Sequence, residues 1–165
     1  MISNKKFDFI ILGGGCSALS LINKIVEKNI TDYSFIIIEK RKEYTDDRSW
    51  CFWDRNDTKY KNIVEKSWES FSFNFNGKSN FLKSKKYKYH YIRSINFYES
   101  ILQKILAFSN IKLNLGENVI QIKKKHDYFC VKTDKNNYIA SKILDTRPDL
   151  NSFKKYPFMY QIFLG

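Results

Sequence analysis

The stretch Phe9-Ile10-Ile11-Leu12-Gly13-Gly14-Gly15-Cys16-Ser17-Ala18 restricts what this chain can fold into more than any other. Four consecutive apolar residues read as a buried strand, and they run without a spacer into a G-x-G-x-x-A turn. From Cys16 to about Lys28 the apolar residues recur at helical spacing. A strand that turns this sharply into a helix leaves the first helical amides unpaired, and unpaired amides at a helix start attract anions. In such a turn Gly13 permits the bend, Gly15 lets a diphosphate approach the backbone, and small Ala18 lets helix and strand pack closely; Gly14, Cys16 and Ser17 complete the loop. A second apolar run, Phe35-Ile36-Ile37-Ile38, ends in Glu39, about 25 residues after the first glycine, where a carboxylate receives the ribose hydroxyls of a dinucleotide. Lys40 follows at the same strand end. The pattern predicts a Rossmann-like α/β domain that binds an FAD- or NAD(P)-type dinucleotide through Gly13, Gly14, Gly15, Cys16, Ser17, Ala18, Glu39 and Lys40. The competing reading is a glycine-rich turn that holds no ligand, with Glu39 a solvated turn residue.

With 165 residues the chain can bury one substantial core. It shows no internal repeat and no low-complexity linker, so residues 1–165 are expected to form one domain. Lysine and arginine total 29 against 17 acids, a net charge of +12. Nearly all the cations are Lys, accompanied by abundant Asn, Ile, Phe and Tyr, the mix an AT-rich coding sequence supplies, and nucleic acid is therefore discounted as a partner. Two clusters, Lys83-Ser84-Lys85-Lys86 and Lys123-Lys124-Lys125, would attract anionic headgroups. Cys16, Cys51 and Cys130 are odd in number and have no metal-like spacing, which argues against a disulfide framework and a metal site. No run approaches the ~18 apolar residues of a membrane span. The expected location is cytoplasmic and peripheral to the membrane.

Along the chain, Trp50-Cys51-Phe52-Trp53 is either an apolar plug under a loop or a ligand contact. Lys61 to Trp68 reads as a short helix or an irregular link. Phe71, Phe73 and Phe75 alternate with polar residues before Asn76-Gly77, predicting a hairpin with one buried face and a return strand over Ser79 to Leu82. Tyr87, Tyr89 and Tyr91 form a further half-buried strand, with His90 on its exposed side. Ser94 is the expected cap of a helix through Phe97, Ile101, Leu102, Ile105 and Leu106. Four short strands follow, over Ile111 to Leu115, Val119 to Lys124, Tyr128 to Thr133 and Tyr138 to Leu144. They read as one strand returning to a parallel sheet and then a β-meander. The strands of about residues 69–92 are expected to be an insertion in the nucleotide-binding domain. Tyr156 to Gly165 is strand-like and ends on apolar residues, so the domain is expected to be truncated.

These stretches together resemble the amino-terminal part of the lycopene β-cyclase family of carotenoid biosynthesis. The matching pieces are Asp8 to Ser20, Asp47-Arg48-Ser49-Trp50-Cys51-Phe52-Trp53, Tyr91-Ile92-Arg93-Ser94 with Phe97-Tyr98, Asp145-Thr146-Arg147-Pro148, and Gln161-Ile162-Phe163-Leu164-Gly165. The nucleotide turn is shared with many flavoproteins, whereas the Arg48 to Trp53 and Gln161 to Gly165 stretches are far more specific. The resemblance implies FAD as cofactor, reduced by NADPH or NADH, and lycopene or a related carotene as substrate, its ends closed to β-ionone rings by protonation and proton loss without net redox change. It carries Gly13, Gly15 and Ala18 onto the FAD pyrophosphate and Glu39 onto the ribose. Arg48 and Arg93 are added as flavin-side candidates because guanidinium suits pyrophosphate, although surface salt bridges account for them almost as well. Asp145 and Arg147 end a strand near the cofactor crevice or simply form a turn. No catalytic residue is expected before Gly165, and this stretch alone is expected to be inactive. Another FAD-dependent oxidoreductase of geranylgeranyl-reductase type, and a non-catalytic basic module on a membrane surface, are the alternatives.

Overall fold

A computed structural model describes residues 4–148. The first half of the chain forms β1 (Asn4–Leu12), α1 (Cys16–Glu27), β2 (Phe35–Ile38), β3 (Ser49–Arg55), β4 (Val64–Trp68) and the hairpin β5 (Ser70–Phe75) and β6 (Lys78–Lys83). The second half forms β7 (Tyr87–Arg93), α2 (Ser94–Ile105), β8 (Ile111–Asn114), β9 (Val119–Lys124), β10 (Phe129–Thr133) and β11 (Asn137–Asp145). The strand-like stretch at Tyr156 to Gly165 lies outside the described residues.

The main sheet has the order β8-β2-β1-β11-β10-β9, with β8, β2, β1 and β11 parallel and the last two strands antiparallel. Continuous apolar runs suit strands buried on both faces, and all four residues of β2 are buried. On one face Ala18, Leu19, Ile22 and Ile25 of α1 and Phe97, Tyr98, Ile101 and Ile105 of α2 pack with Ile11, Phe35, Ile37 and Ile111. On the other, Ile10, Leu12, Ile36 and Ile38 pack with Val131, Tyr138 and Ala140 of the meander. Each such fully buried aliphatic side chain contributes about 1.5–3 kcal/mol, so this sheet carries most of the hydrophobic stabilisation. The predicted return to the parallel sheet and the meander after it are both present.

Helix α1 ends in a defined way. Asn29 adopts a left-handed backbone (φ 50°), its amide bonds the Val26 carbonyl at 2.9 Å and the Ile30 amide bonds the Ile25 carbonyl at 3.1 Å. This pair of bonds is a Schellman closure; Asn, like Gly, tolerates the left-handed position. The turn aims the chain back toward β2.

Between β2 and α2 lies the antiparallel sheet β3-β7-β4 and, beside it, the separate hairpin β5-β6. Four sequence expectations change here. Lys61 to Trp68 is not a helix: Val64–Trp68 is a strand whose partner β7 supplies the ladder that its own weak periodicity does not announce. His90 is buried, not exposed, at 3% of its accessible area. Ile92 and the start of α2 fix which face of β7 turns inward, and His90 shares it, packed on Phe52 and bonded through Nδ1 to Ser67 Oγ at 2.8 Å. Ser94 does not cap α2; Arg93 occupies the cap position without a capping side-chain bond, and the Ile95 amide in the first turn donates to Asp46 Oδ1 at 3.4 Å. The Ser94 hydroxyl instead accepts the Arg48 amide at 3.0 Å. Finally, the hairpin turns at Asn76-Gly77 with both residues at positive φ, as this dipeptide favours, but its phenylalanine face is not buried: Phe73 is 62% and Phe75 77% exposed.

The same inward face resolves the tryptophan pair. Trp50 is a plug, its ring 5.2 Å from that of Phe97 and 5.6 Å from that of Tyr98. Trp53, three residues on, lies on the opposite face of β3 and is half exposed.

Candidate dinucleotide site

The glycine turn stands at the carboxyl ends of β1, β2 and β11, on the parallel side of the sheet. Chain continuity runs from β1 outward through β2 to β8 on one side, while β11 arrives much later on the other. A crevice forms at such a switch point. The Gly13 amide bonds the Ile38 carbonyl at 2.9 Å and the Thr146 amide bonds the Leu12 carbonyl at 2.9 Å, so the three strand ends are tied together at the turn.

Each glycine meets a different environment. Gly13 has φ +88°, and a Cβ there would lie 2.9 Å from Thr146 Oγ1 and 3.2 Å from Arg147 Cγ. A Cβ on Gly14 would lie 3.0 Å from Glu39 Cβ and would collide with the Tyr44 hydroxyl. A Cβ on Gly15 would meet nothing within 4 Å. Gly13 and Gly14 are therefore required by the chain itself, and Gly15 borders open space. Beyond it, α1 has no side-chain cap and no acid in its first turn. The first intrahelical bond runs from the Leu19 amide to the Gly15 carbonyl at 3.0 Å, which places the Cys16, Ser17 and Ala18 amides at the open helix start. Burial pushes the Cys16 thiol up, away from nucleophilic behaviour.

Glu39, 5% exposed, caps β2 beneath this turn. Its Oε2 accepts the Gly14 amide at 2.5 Å and its Oε1 accepts the Arg41 amide at 2.9 Å. Each oxygen keeps a further lone pair for a hydroxyl. The Tyr44 hydroxyl donates to the Gly14 carbonyl at 2.7 Å. Burial, helped by the nearby Glu39 carboxylate, raises the Tyr44 phenol well above its ordinary range, so it remains a donor. These residues fit the adenosine half of a dinucleotide: a fixed acid at the ribose position, open amides beside it and a turn that carries no side chain at Gly15.

Residues 8–165 match the family described as lycopene cyclase protein. The chain belongs to the lycopene cyclase protein family. Comparison with curated proteins finds no match. Among solved structures this lycopene cyclase family member is similar to p-nitrophenol 4-monooxygenase PnpA from Pseudomonas putida DLL-E4, with TM-score 0.66, 13% identity and coverage of 86% of this chain and 41% of that one. It is also similar to PqsL, a probable FAD-dependent monooxygenase from Pseudomonas aeruginosa, with TM-score 0.63, 8% identity and coverage of 84% and 42%. A third is OxyS anhydrotetracycline hydroxylase from Streptomyces rimosus, with TM-score 0.62, 13% identity and coverage of 85% and 31%. At these identities the likeness is one of fold, and it agrees with the predicted Rossmann-like class. The chain spans under half the length of these structures.

Of the remaining candidates of this family member, Arg48 and Arg93 lie in a polar patch that Arg41 links to the turn, while Lys40 and the Asp145–Arg147 pair stand at the ends of β2 and β11. Arg48 is exposed, with Nε 3.5 Å from Asp47 Oδ2. Arg93 Nε donates to Asp46 Oδ2 at 2.7 Å, and this guanidinium holds the Asp46 carboxyl below its usual value. Lys40 is exposed. Arg147 forks onto Asp145 at 2.9 and 2.7 Å, holding that carboxyl down. Sequence reasoning missed Arg41 and Tyr44. Arg41 donates to the Tyr98 hydroxyl at 3.0 Å and lies 3.9 Å from Glu39 Oε1 and 3.6 Å from Asp47 Oδ2. It thereby joins the Glu39 end of the turn to the Asp46–Asp47 patch that holds Arg48 and Arg93. Its only sequence signal is the E-x-R spacing after the strand. Among the described residues no cluster of His, Cys, Asp and Glu could hold a metal ion, and no helix is long and apolar enough to cross a membrane.

Proposed function

We propose that this lycopene cyclase family member holds FAD through its adenosine diphosphate half, as the cofactor-binding part of an enzyme that closes the ends of lycopene or a related carotene to β-ionone rings. The observation that carries the reading is the pairing of open space above Gly15 with a buried Glu39 already bonded to the Gly14 amide. Gly13, Gly14, Gly15 and Ala18 shape the cradle, the Cys16, Ser17 and Ala18 amides face the diphosphate, and Glu39 takes the ribose hydroxyls. Arg41 and Tyr44 fix the loop that positions Glu39. Arg48 and Arg93, ion-paired with Asp47 and Asp46, are the flavin-side candidates in the patch that Arg41 joins to the turn, with Lys40 beside Glu39 in the sequence.

A reduced flavin, supplied with electrons by NADPH or NADH, would place negative charge where a cyclisation develops positive charge on carbon. The family match and the fold support this assignment. The carotene substrate and the ring closure rest on the family resemblance alone.

The test is a titration of the purified chain with FAD, ADP and FMN, followed by flavin fluorescence and calorimetry. FAD should bind, ADP should compete with it and FMN should not, because the cradle reads the adenosine diphosphate half that FMN lacks. Equal binding of FMN, or binding of none of the three, would remove the reading.

A further inference from the structure

The hairpin β5-β6 does what a folded surface ordinarily avoids. In its register Phe71 faces Leu82, Phe73 faces Asn80 and Phe75 faces Lys78, so Phe71, Phe73, Phe75 and Leu82 share one face. Ser72 faces Phe81 on the other. Phe73, Phe75 and Phe81 are 62%, 77% and 83% exposed. The apolar face continues into the neighbouring sheet, because the Phe71 ring lies 5.5 Å from Phe73 and 5.1 Å from Trp53, whose ring lies 5.1 Å from Tyr89. A cleft of about 420 Å³ lined by Trp53, Phe71, Ser84 and Tyr87 opens along this row. Isolated two-stranded hairpins are marginal in water, and this one gains little burial from the rest of the described residues.

Its charge is equally one-sided. From Ser70 to Tyr91 the sequence holds Lys78, Lys83, Lys85, Lys86 and Lys88 and no acid at all. Lys83 is paired with Glu69 at 2.8 Å, while Lys78, Lys85 and Lys86 are exposed at and beside the hairpin.

From these features we infer that β5-β6 is a docking element for an anionic lipid bilayer, its phenylalanines entering the headgroup–acyl boundary and Lys78, Lys85 and Lys86 pairing with headgroups. Two observations favour lipid over a protein partner. Exposed phenylalanines lie on both faces of the hairpin, and a flat protein surface covers only one, whereas a fluid interface surrounds both. With Glu69 paired to Lys83 and Asp57, which lines a cleft with Lys85 and Lys86, paired to Arg55, the excess of lysines complements a negative surface, where each lysine is worth about 1 kcal/mol, or about five-fold in partitioning. The outer backbone edges of a two-stranded hairpin need water or headgroups to bond, which fixes the depth at the interface and excludes the hydrocarbon core. The inference is independent of the flavin reading: a chain that binds no FAD can still bind vesicles, and the reverse.

The experiment is flotation of the whole chain with vesicles of two parts phosphatidylcholine to one part phosphatidylglycerol, against pure phosphatidylcholine, with Trp fluorescence read in parallel. Binding to the anionic vesicles with a blue shift is expected, and little binding to the neutral ones. K85Q/K86Q should weaken partitioning by about 30-fold, and F73S/F75S by at least about ten-fold. K123Q/K124Q, which removes the same charge from β9, should weaken it far less. Since Phe73 touches Phe71, F75S alone serves if the double variant unfolds, as Phe75 is three-quarters exposed. Failure of the unmodified chain to float, equal loss in K123Q/K124Q and K85Q/K86Q, full binding by F75S, or a dimer in solution that F75S disperses would each overturn the inference.

Discussion

The Gly14 amide donates to Glu39 Oε2 at 2.5 Å across 25 residues of sequence. This one bond ties the end of β2 to the turn that follows β1, so the acid and the open amides cannot move independently. A charge-assisted bond of this kind, buried, contributes about 1.5–3 kcal/mol. Glu39→Gln would keep the shape but lose the charge and set an amide donor against one of the two backbone amides. It should lower stability by about 1–3 kcal/mol in urea denaturation and weaken FAD binding at least about ten-fold. Unchanged FAD affinity would show that Glu39 is structural only.

The three glycines should separate folding from binding. At Gly13 any side chain is strained by the positive φ and pressed on Thr146. Gly13→Ala should therefore cost about 1–3 kcal/mol of stability. Gly15 has φ −82° and nothing near its Cβ direction, so Gly15→Val should melt close to the unmodified chain while losing FAD binding. If Gly15→Val binds FAD normally, the diphosphate does not lie there.

Glu117 should give the fold a pH dependence. Its buried carboxylate accepts Thr133 Oγ1, Asn136 Nδ2, both approaches of the Tyr138 hydroxyl, and Asn114 Nδ2. Burial alone would raise its pKa, but these donors together outweigh it and the carboxyl ends below its ordinary value. A depressed carboxylate stabilises the fold above the unfolded-state pKa, about 4.3, and that stability is lost as pH falls through the folded value. Urea midpoints measured from neutral pH down to about pH 3 should fall for the native chain and fall less steeply for Glu117→Gln, which should be weaker at neutral pH.

Tyr98 joins the core to the polar rim. Its ring touches Trp50 and Tyr44, and its hydroxyl lies between Arg41 and Asp47. Tyr98→Phe should cost about 1–2 kcal/mol through those bonds. A larger effect on FAD affinity than on stability would place Arg41 in the cofactor's surroundings; thermal melts alongside FAD titrations make the comparison.

Much of this protein was legible in the chain alone. Phe9 to Ala18 and Phe35 to Glu39 announce the strand, turn, helix and acid because glycine spacing and apolar runs are local properties, and the meander announces itself by period-two strands between turn residues. The Asn76-Gly77 hairpin was legible for the same reason. What periodicity does not encode is which face of a strand turns inward. For β7 that was decided by Ile92 packing under α2, which buried His90 and left Tyr87 outside; for β3 it separated Trp50, a core plug, from Trp53 on the outer face. Capping of α2 by Ser94 failed because its hydroxyl is held by the Arg48 amide, 46 positions away. Arg41, Tyr44 and the Gly14 contact likewise exist only once distant segments meet. Sequence determined the elements and the chemistry that each could carry; the tertiary structure decided which side chains face one another, because that choice depends on the packing of the whole sheet and not on any segment within it.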